Sequence, residues 1–135
     1  MRGGMRRMAL ACVAALVLAA CGGSSSDEAQ RKEVRAMANR SYAHLVAGDL
    51  DGYLQCIHDY DSLLPEFQTQ LRDLFAQYLD QEQRLRGGLM GHRVVGDTLL
   101  DSLSATAFVE VSFGDSTREV VSLPLVRSHG RWMLR

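Results

Sequence analysis

The sequence predicts an α+β domain: two to three N-terminal helices packed on one face of a curved antiparallel sheet of about four strands. Three observations carry this. Apolar residues recur at helical spacing from Val34 to Leu45 and again from Leu64 to Tyr78. The period then changes to two over residues 103–113. Two turn signals, Gly114-Asp115-Ser116 and Ser128-His129-Gly130, divide the remainder into hairpin strands. Helices followed by a run of strands place the helices together on one side of an antiparallel sheet.

The first helix carries Val34, Met37, Ala38, Ser41, Tyr42, Leu45 and Val46, all on one face. Gly48 suits the residue just past its end, and Asp49 can cap the next helix. Leu50, Tyr53, Leu54 and Ile57 repeat the spacing on a short second helix. Asp61 or Ser62 can cap a third, with Pro65 in its first turn. Leu64, Phe67, Leu71, Leu74, Phe75 and Tyr78 form its apolar stripe, and Gly87-Gly88 ends it.

Among the strands, about Gly91–Leu100 comes first, with a bend or bulge at Gly96. In the next, Leu103, Ala105, Ala107, Val109, Val111 and Phe113 face inward. The return over 117–127 turns Val121, Leu123 and Leu125 to the same side. Pro124 lacks an N–H, so it requires an edge or a bulge. The last strand, 131–135, contributes Trp132 and Leu134. Ala105 and Ala107 either leave room for a ligand or admit Phe67, Phe75 and Tyr78; packing is the expectation.

The amino-terminal segment is of another kind. Arg2, Arg6 and Arg7 precede an apolar run, Met8–Leu18, that is too short to span a bilayer, which takes about 20 residues. Leu18-Ala19-Ala20-Cys21, followed by Gly22-Gly23 and serines, resembles the lipobox of bacterial lipoproteins. That resemblance implies a signal peptide over 1–20, cleavage between Ala20 and Cys21, and acyl chains on Cys21. Two or three chains would anchor the protein stably, at about 0.8 kcal/mol per buried methylene. Residues 21–30 would then be the lipidated cysteine and a flexible tether, and 31–135 a single domain. With Gly22 after the cysteine, the resemblance implies the outer membrane, facing the periplasm, in a host with two membranes.

Charge supports this division. The whole chain has 15 Lys and Arg against 16 Asp and Glu. Removing 1–20, with three arginines and no acids, leaves 12 bases against 16 acids, a net of −4. A mildly acidic domain without a basic patch is not a nucleic-acid binder. Cys12 goes with the leader and Cys21 is lipidated, so Cys56 remains as the free thiol.

The segment Tyr42-Ala43-His44-Leu45-Val46-Ala47-Gly48-Asp49-Leu50-Asp51-Gly52-Tyr53 resembles the opening helices of the nuclear transport factor 2-like (cystatin-like cone) superfamily. Val120–Arg127 with Gly130-Arg131-Trp132-Met133-Leu134 is similar to the closing hairpin of its small bacterial lipoproteins. For lipoproteins of this type the resemblance implies binding of a ligand or partner. The expected role is a membrane-anchored binding or interaction module, for an envelope protein or a small hydrophobic ligand. A homodimer through the sheet is a further expectation.

The competing reading is a small-molecule enzyme, isomerase- or hydrolase-like, with Tyr, Asp and His buried in the cone. Its candidates are Tyr42, Asp59 and His92, with Tyr53 and Tyr60 behind them. The inward strand face bears no acid, which argues against it. Cys56-Ile57-His58-Asp59 has metal-ligand residue types but no second cluster at ligand spacing. No phosphate-binding glycine loop and no Gly-x-Ser-x-Gly occurs, so neither metal nor cofactor is expected.

Overall fold

The computed structural model describes residues 26–135. The expected signal peptide, Ala20 and Cys21 lie outside the described residues. The described chain falls into two units, the first ending at Lys32 and the second running from Glu33 to Arg135. Residues 26–46 are helical (α1). Residues 26–30 are therefore helical although the sequence suggests a tether there. Glu28, Ala29 and Gln30 are strong helix formers running into the amphipathic stripe.

Within the second unit, α1 buries the face its spacing marks. Val34 and Ala38 are fully buried, and Met37, Tyr42 and Leu45 nearly so. Gly48 takes φ +75° at its end, a conformation glycine adopts without cost. Asp49 then caps α2 (Leu50–Leu54), its side chain accepting from the Gly52 amide at 3.1 Å. A 3-10 turn (Tyr60–Ser62) leads to α3 (Pro65–Arg86), which ends at Gly87 with φ +78°.

Four strands follow: β1 (Leu89–Leu99), β2 (Ser104–Phe113), β3 (Arg118–Ser128) and β4 (Arg131–Leu134). They form a curled antiparallel meander in chain order. Burial along β2 alternates without a break, with Ala105, Ala107, Val109, Val111 and Phe113 inside. Leu123, Leu125, Trp132 and Leu134 extend this face across β3 and β4, in one core with the α1 stripe. The pairing of β1 with β2 slips between Val94 and Gly96, the bulge that Gly96 suggests. Pro124 lies where β4 runs out: β4 pairs with Leu125–Ser128, and only the Arg135 amide reaches the Pro124 carbonyl. The ladder asks for no N–H from it.

Four expectations need correction. Ile57 is not helical; it forms a parallel bridge with Leu134. The backbone there is taken by β4, since the His58 amide donates to the Leu134 carbonyl at 2.7 Å and the Leu134 amide to that of Cys56 at 2.8 Å. Neither Asp61 nor Ser62 caps α3, because both belong to the 3-10 turn and Leu64 holds the cap position without a side-chain bond. Leu103 is exposed, outside the strand that begins at Ser104. Finally, α3 buries no residue completely. Phe75, Tyr78 and Leu79 pack against the core, but Phe67 stays 47% exposed and Leu74 59%. Phe67 is thus not what fills the space above Ala105 and Ala107. The α1 stripe already shares that core, which leaves α3 a place at its margin.

The turn after α3 is held by backbone. The Gly114 amide donates to the Gly88 carbonyl at 2.9 Å and the Asp115 amide to that of Arg86 at 2.8 Å. A Cβ on Gly114 would strike the Gly87 carbonyl oxygen, which cannot yield as a side chain would. Gly114→Ala is expected to lower stability by about 1–3 kcal/mol, the usual cost of forcing atoms into a packed site. Urea unfolding checks this, with the midpoint falling and the slope unchanged.

Candidate functional site

Two regions gather polar chemistry: the tyrosines of the core and a cleft beside β4. In the core, Tyr42 on α1 and Tyr53 on α2 are less than one-tenth exposed. Tyr53 meets Phe75 of α3 edge to face, ring centroids 4.8 Å apart. Burial, then the neighbouring Cys56 thiol and Tyr78, pushes the Tyr53 phenol up to about 12. Burial raises Tyr42 further above the ordinary phenol range, with Tyr53, Tyr78 and Glu119 adding to it. Tyr78 rises too, through burial and then Glu82 and Glu119. At neutral pH these are uncharged hydroxyls, able to donate a hydrogen bond but poor as bases. Ser41 is fully buried, and its hydroxyl donates to the Ala38 carbonyl at 2.9 Å.

Of the sequence-predicted candidates, the structure brings two together. His92 on β1 lies beside Tyr42, ring centroids 6.5 Å apart, and its Nε2 is 3.0 Å from the Asn39 side-chain oxygen. Asp59 joins neither. It belongs to the loop alongside β4, whereas β1 is the opposite edge of the sheet. The proposed Tyr/Asp/His constellation is therefore divided, since segments that look close in a list diverge once the meander spreads them. Tyr60 sits in the 3-10 turn, half-buried.

The Cys56–Asp59 run also separates. The Cys56 thiol donates to the Gly52 carbonyl at 3.4 Å, and burial pushes its pKa up. His58 Nε2 contacts the Asp59 carboxylate at 2.9 Å. Among the described residues no group of three or more His, Cys, Asp or Glu could hold a metal.

The cleft is the feature that sequence reasoning missed. It encloses about 330 Å³ between the loop 55–62 and the β3–β4 turn. Asp59 and Asp61 line it from the loop, His129 and Arg131 from the turn, and Ile57 and Met133 supply apolar contact. Asp59 and His129 are both left-handed, with φ +58° and +51°. Asp and His are among the side chains that tolerate this conformation best, and both stand in tight turns. The two walls are about seventy positions apart in sequence, and the Ile57–Leu134 bridge brings them together.

A second cleft of about 270 Å³ adjoins it, with Arg40 on one side and Arg131 and Trp132 on the other. Phe67, Leu74 and Leu85 are exposed along α3, and so is Leu64 at its cap. Ion pairs of both signs accompany them, Arg72 with Asp51 and Arg84 with Asp80.

Comparison with solved structures gives the fold its name. A Campylobacter jejuni protein described as an NTF2-like transpeptidase aligns with a TM-score of 0.58 at 18% identity, over 73% of this chain and 94% of that one. The domain has a nuclear transport factor 2-like fold. At that identity the likeness concerns the fold alone. A SEC-C motif containing protein from Rhodopseudomonas palustris aligns at a TM-score of 0.46 and 15% identity, over 69% of this chain and 67% of that one. No protein-family model and no curated protein sequence matches the chain. In this domain the inner face of the sheet is Ala, Val, Phe, Leu and Trp, and the core phenols come from the helices.

The phenols set a pH limit. A folded-state pKa above the unfolded value of about 10 means that the unfolded chain loses its proton first as pH rises. The Tyr53 contribution is therefore intact below about pH 10 and falls between about 10 and about 12, by at most about 1.4 kcal/mol per pH unit. Unfolding followed at pH 9, 10 and 11 checks this, and Tyr53→Phe should make the decline shallower.

Proposed function

We propose that the protein is a lipid-anchored lipoprotein of the cell envelope whose nuclear transport factor 2-like domain is an interaction module for a protein partner. One observation carries the interaction reading. A 22-residue helix keeps Phe67, Leu74 and Leu85 47–69% exposed, with Leu64 at its cap 57% exposed, although Phe75, Tyr78 and Leu79 of the same helix pack on the core. Leaving large apolar groups in water forfeits stabilisation of about 1.5–3 kcal/mol for each one that could be buried. Such residues clustered on one element mark a contact surface.

The charges beside the stripe suit a protein rather than a bilayer. An interfacial helix is rich in Lys and Arg on its polar side. Here α3 carries Glu66, Asp73, Asp80 and Glu82 against Arg72, Arg84 and Arg86. Mixed signs around an apolar strip are what a protein interface has at its rim. No helix among the described residues is long and apolar enough to cross a membrane. Attachment in this reading comes from Cys21, and its support is the residue pattern around that cysteine.

Two measurements test the proposal. Mass spectrometry of the native amino terminus should find a diacylglyceryl group on Cys21; a bare cysteine would remove the anchor. Envelope pull-downs should lose the partner about tenfold with Leu74→Ser and keep it with Leu100→Ser, an exposed residue off α3. Neither exposed substitution is expected to move stability by more than about 0.5 kcal/mol. Equal capture by both variants would dismiss α3 as the contact surface.

A further inference from the structure

The cleft beside β4 has carboxylates on one wall and a guanidinium and an imidazole on the other, with no ion pair between the two walls among the described residues. Asp59 and Asp61 stand on the loop, His129 and Arg131 on the β3–β4 turn. The acids have partners on their own wall: Asp59 contacts His58 at 2.9 Å, and the Gln55 amide donates to Asp61 at 3.3 Å. Each acid is nevertheless exposed, Asp59 with 68% of its side chain open, and so keeps room for a further donor. Neither His129 nor Arg131 pairs with an acid among the described residues, although both acids line the same cleft.

The gap is fixed by backbone on both sides. His129 and Gly130 both take positive φ, as a two-residue hairpin turn with right-handed strand twist requires. On the opposite wall, the bonds from Leu134 to Cys56 and His58 hold the loop in place. An ordinary surface ion pair forms by swinging one long side chain. In this cleft the main chain holds both walls, and Ile57 on the loop and Met133 on β4 add apolar lining.

From this juxtaposition of an acidic wall, a basic wall and apolar lining in one cleft, we infer that the cleft takes a small zwitterion, a free amino acid or short peptide with one ammonium and one carboxylate. The ammonium goes to Asp59 and Asp61, the carboxylate to Arg131 and His129, and the aliphatic side chain to Ile57 and Met133. A guanidinium is suited to the carboxylate end, since its planar fork matches two oxygens at once. A cleft of about 330 Å³ is at the small end of ligand sites, which run from about 300 to 1,000 Å³. The site is separate from the α3 stripe in its residues, so it stands or falls without the protein-partner reading.

The test is calorimetric titration of the protein with alanyl-leucine and its two blocked forms. The N-acetyl form lacks the ammonium, and the carboxamide lacks the carboxylate. The free dipeptide is expected to saturate one site, each blocked form binding at least about tenfold more weakly. Arg131→Gln should make the free dipeptide bind as weakly as its amide, and Asp61→Asn as weakly as its N-acetyl form. His129→Asn supplies a control for folding, because asparagine suits the turn at least as well while removing the imidazole. It should retain wild-type stability and lose part of the affinity. Three results overturn the inference: equal binding of blocked and free forms, unchanged binding in Arg131→Gln and Asp61→Asn, or no saturable binding by any of the three ligands.

Discussion

Two hydrogen bonds at Leu134 join the last strand to a segment nearly eighty residues earlier. Its carbonyl accepts from the His58 amide and its amide donates to the Cys56 carbonyl. Each bond contributes only about 0.5–1.5 kcal/mol net. Their effect is positional. They stop α2 after Leu54, give β4 a partner on its open side, and set the direction from which the chain enters α3. Leu134 itself is nearly buried, so these bonds form away from competing water.

Much of the rest follows from what that junction leaves available. β4 is four residues long, so β3 is paired on its outer side only over Leu125–Ser128, and Pro124 stands just where pairing ends. The loop from Gln55 to Ser62 is held against the β3–β4 turn and forms one wall of the cleft. At its far end α3 is fastened by a different set of contacts. Arg86 pairs with Glu119 at 2.8 Å and lies over the Phe113 ring, 4.5 Å from its centroid. Between these fixed ends the helix packs Phe75, Tyr78 and Leu79 inward and leaves its other flank in solvent.

The legible part of this architecture is the part governed by local period. The β2 alternation from Ala105 to Phe113 can be read directly, as can the α1 stripe, because each records which side of one element is buried. Gly48, Asp49, Pro65 and Gly87 are readable for a similar reason: each answers a backbone demand within a few residues. Ile57 shows the limit. Its spacing from Tyr53 and Leu54 fits a helix, and only a carbonyl on β4 decides otherwise. Phe67 and Leu74 show another. Periodicity says that α3 is amphipathic, but not how much of a wide apolar arc the remaining core can cover.

The candidate sites divide along the same line. Tyr42 and His92 are recognisable as residue types and do adjoin, but their sequence gives no sign that Asp59 would be left at the other edge of the sheet. The cleft was not readable, because Asp61 and Arg131 acquire a relation only through the Leu134 junction. Amide hydrogen exchange tests that junction most directly. The amides of His58 and Leu134 should exchange together and as slowly as that of Val109 in the sheet centre, as members of one cooperative unit. Rapid exchange at His58 while Leu134 stays protected would show that the loop is held by something else.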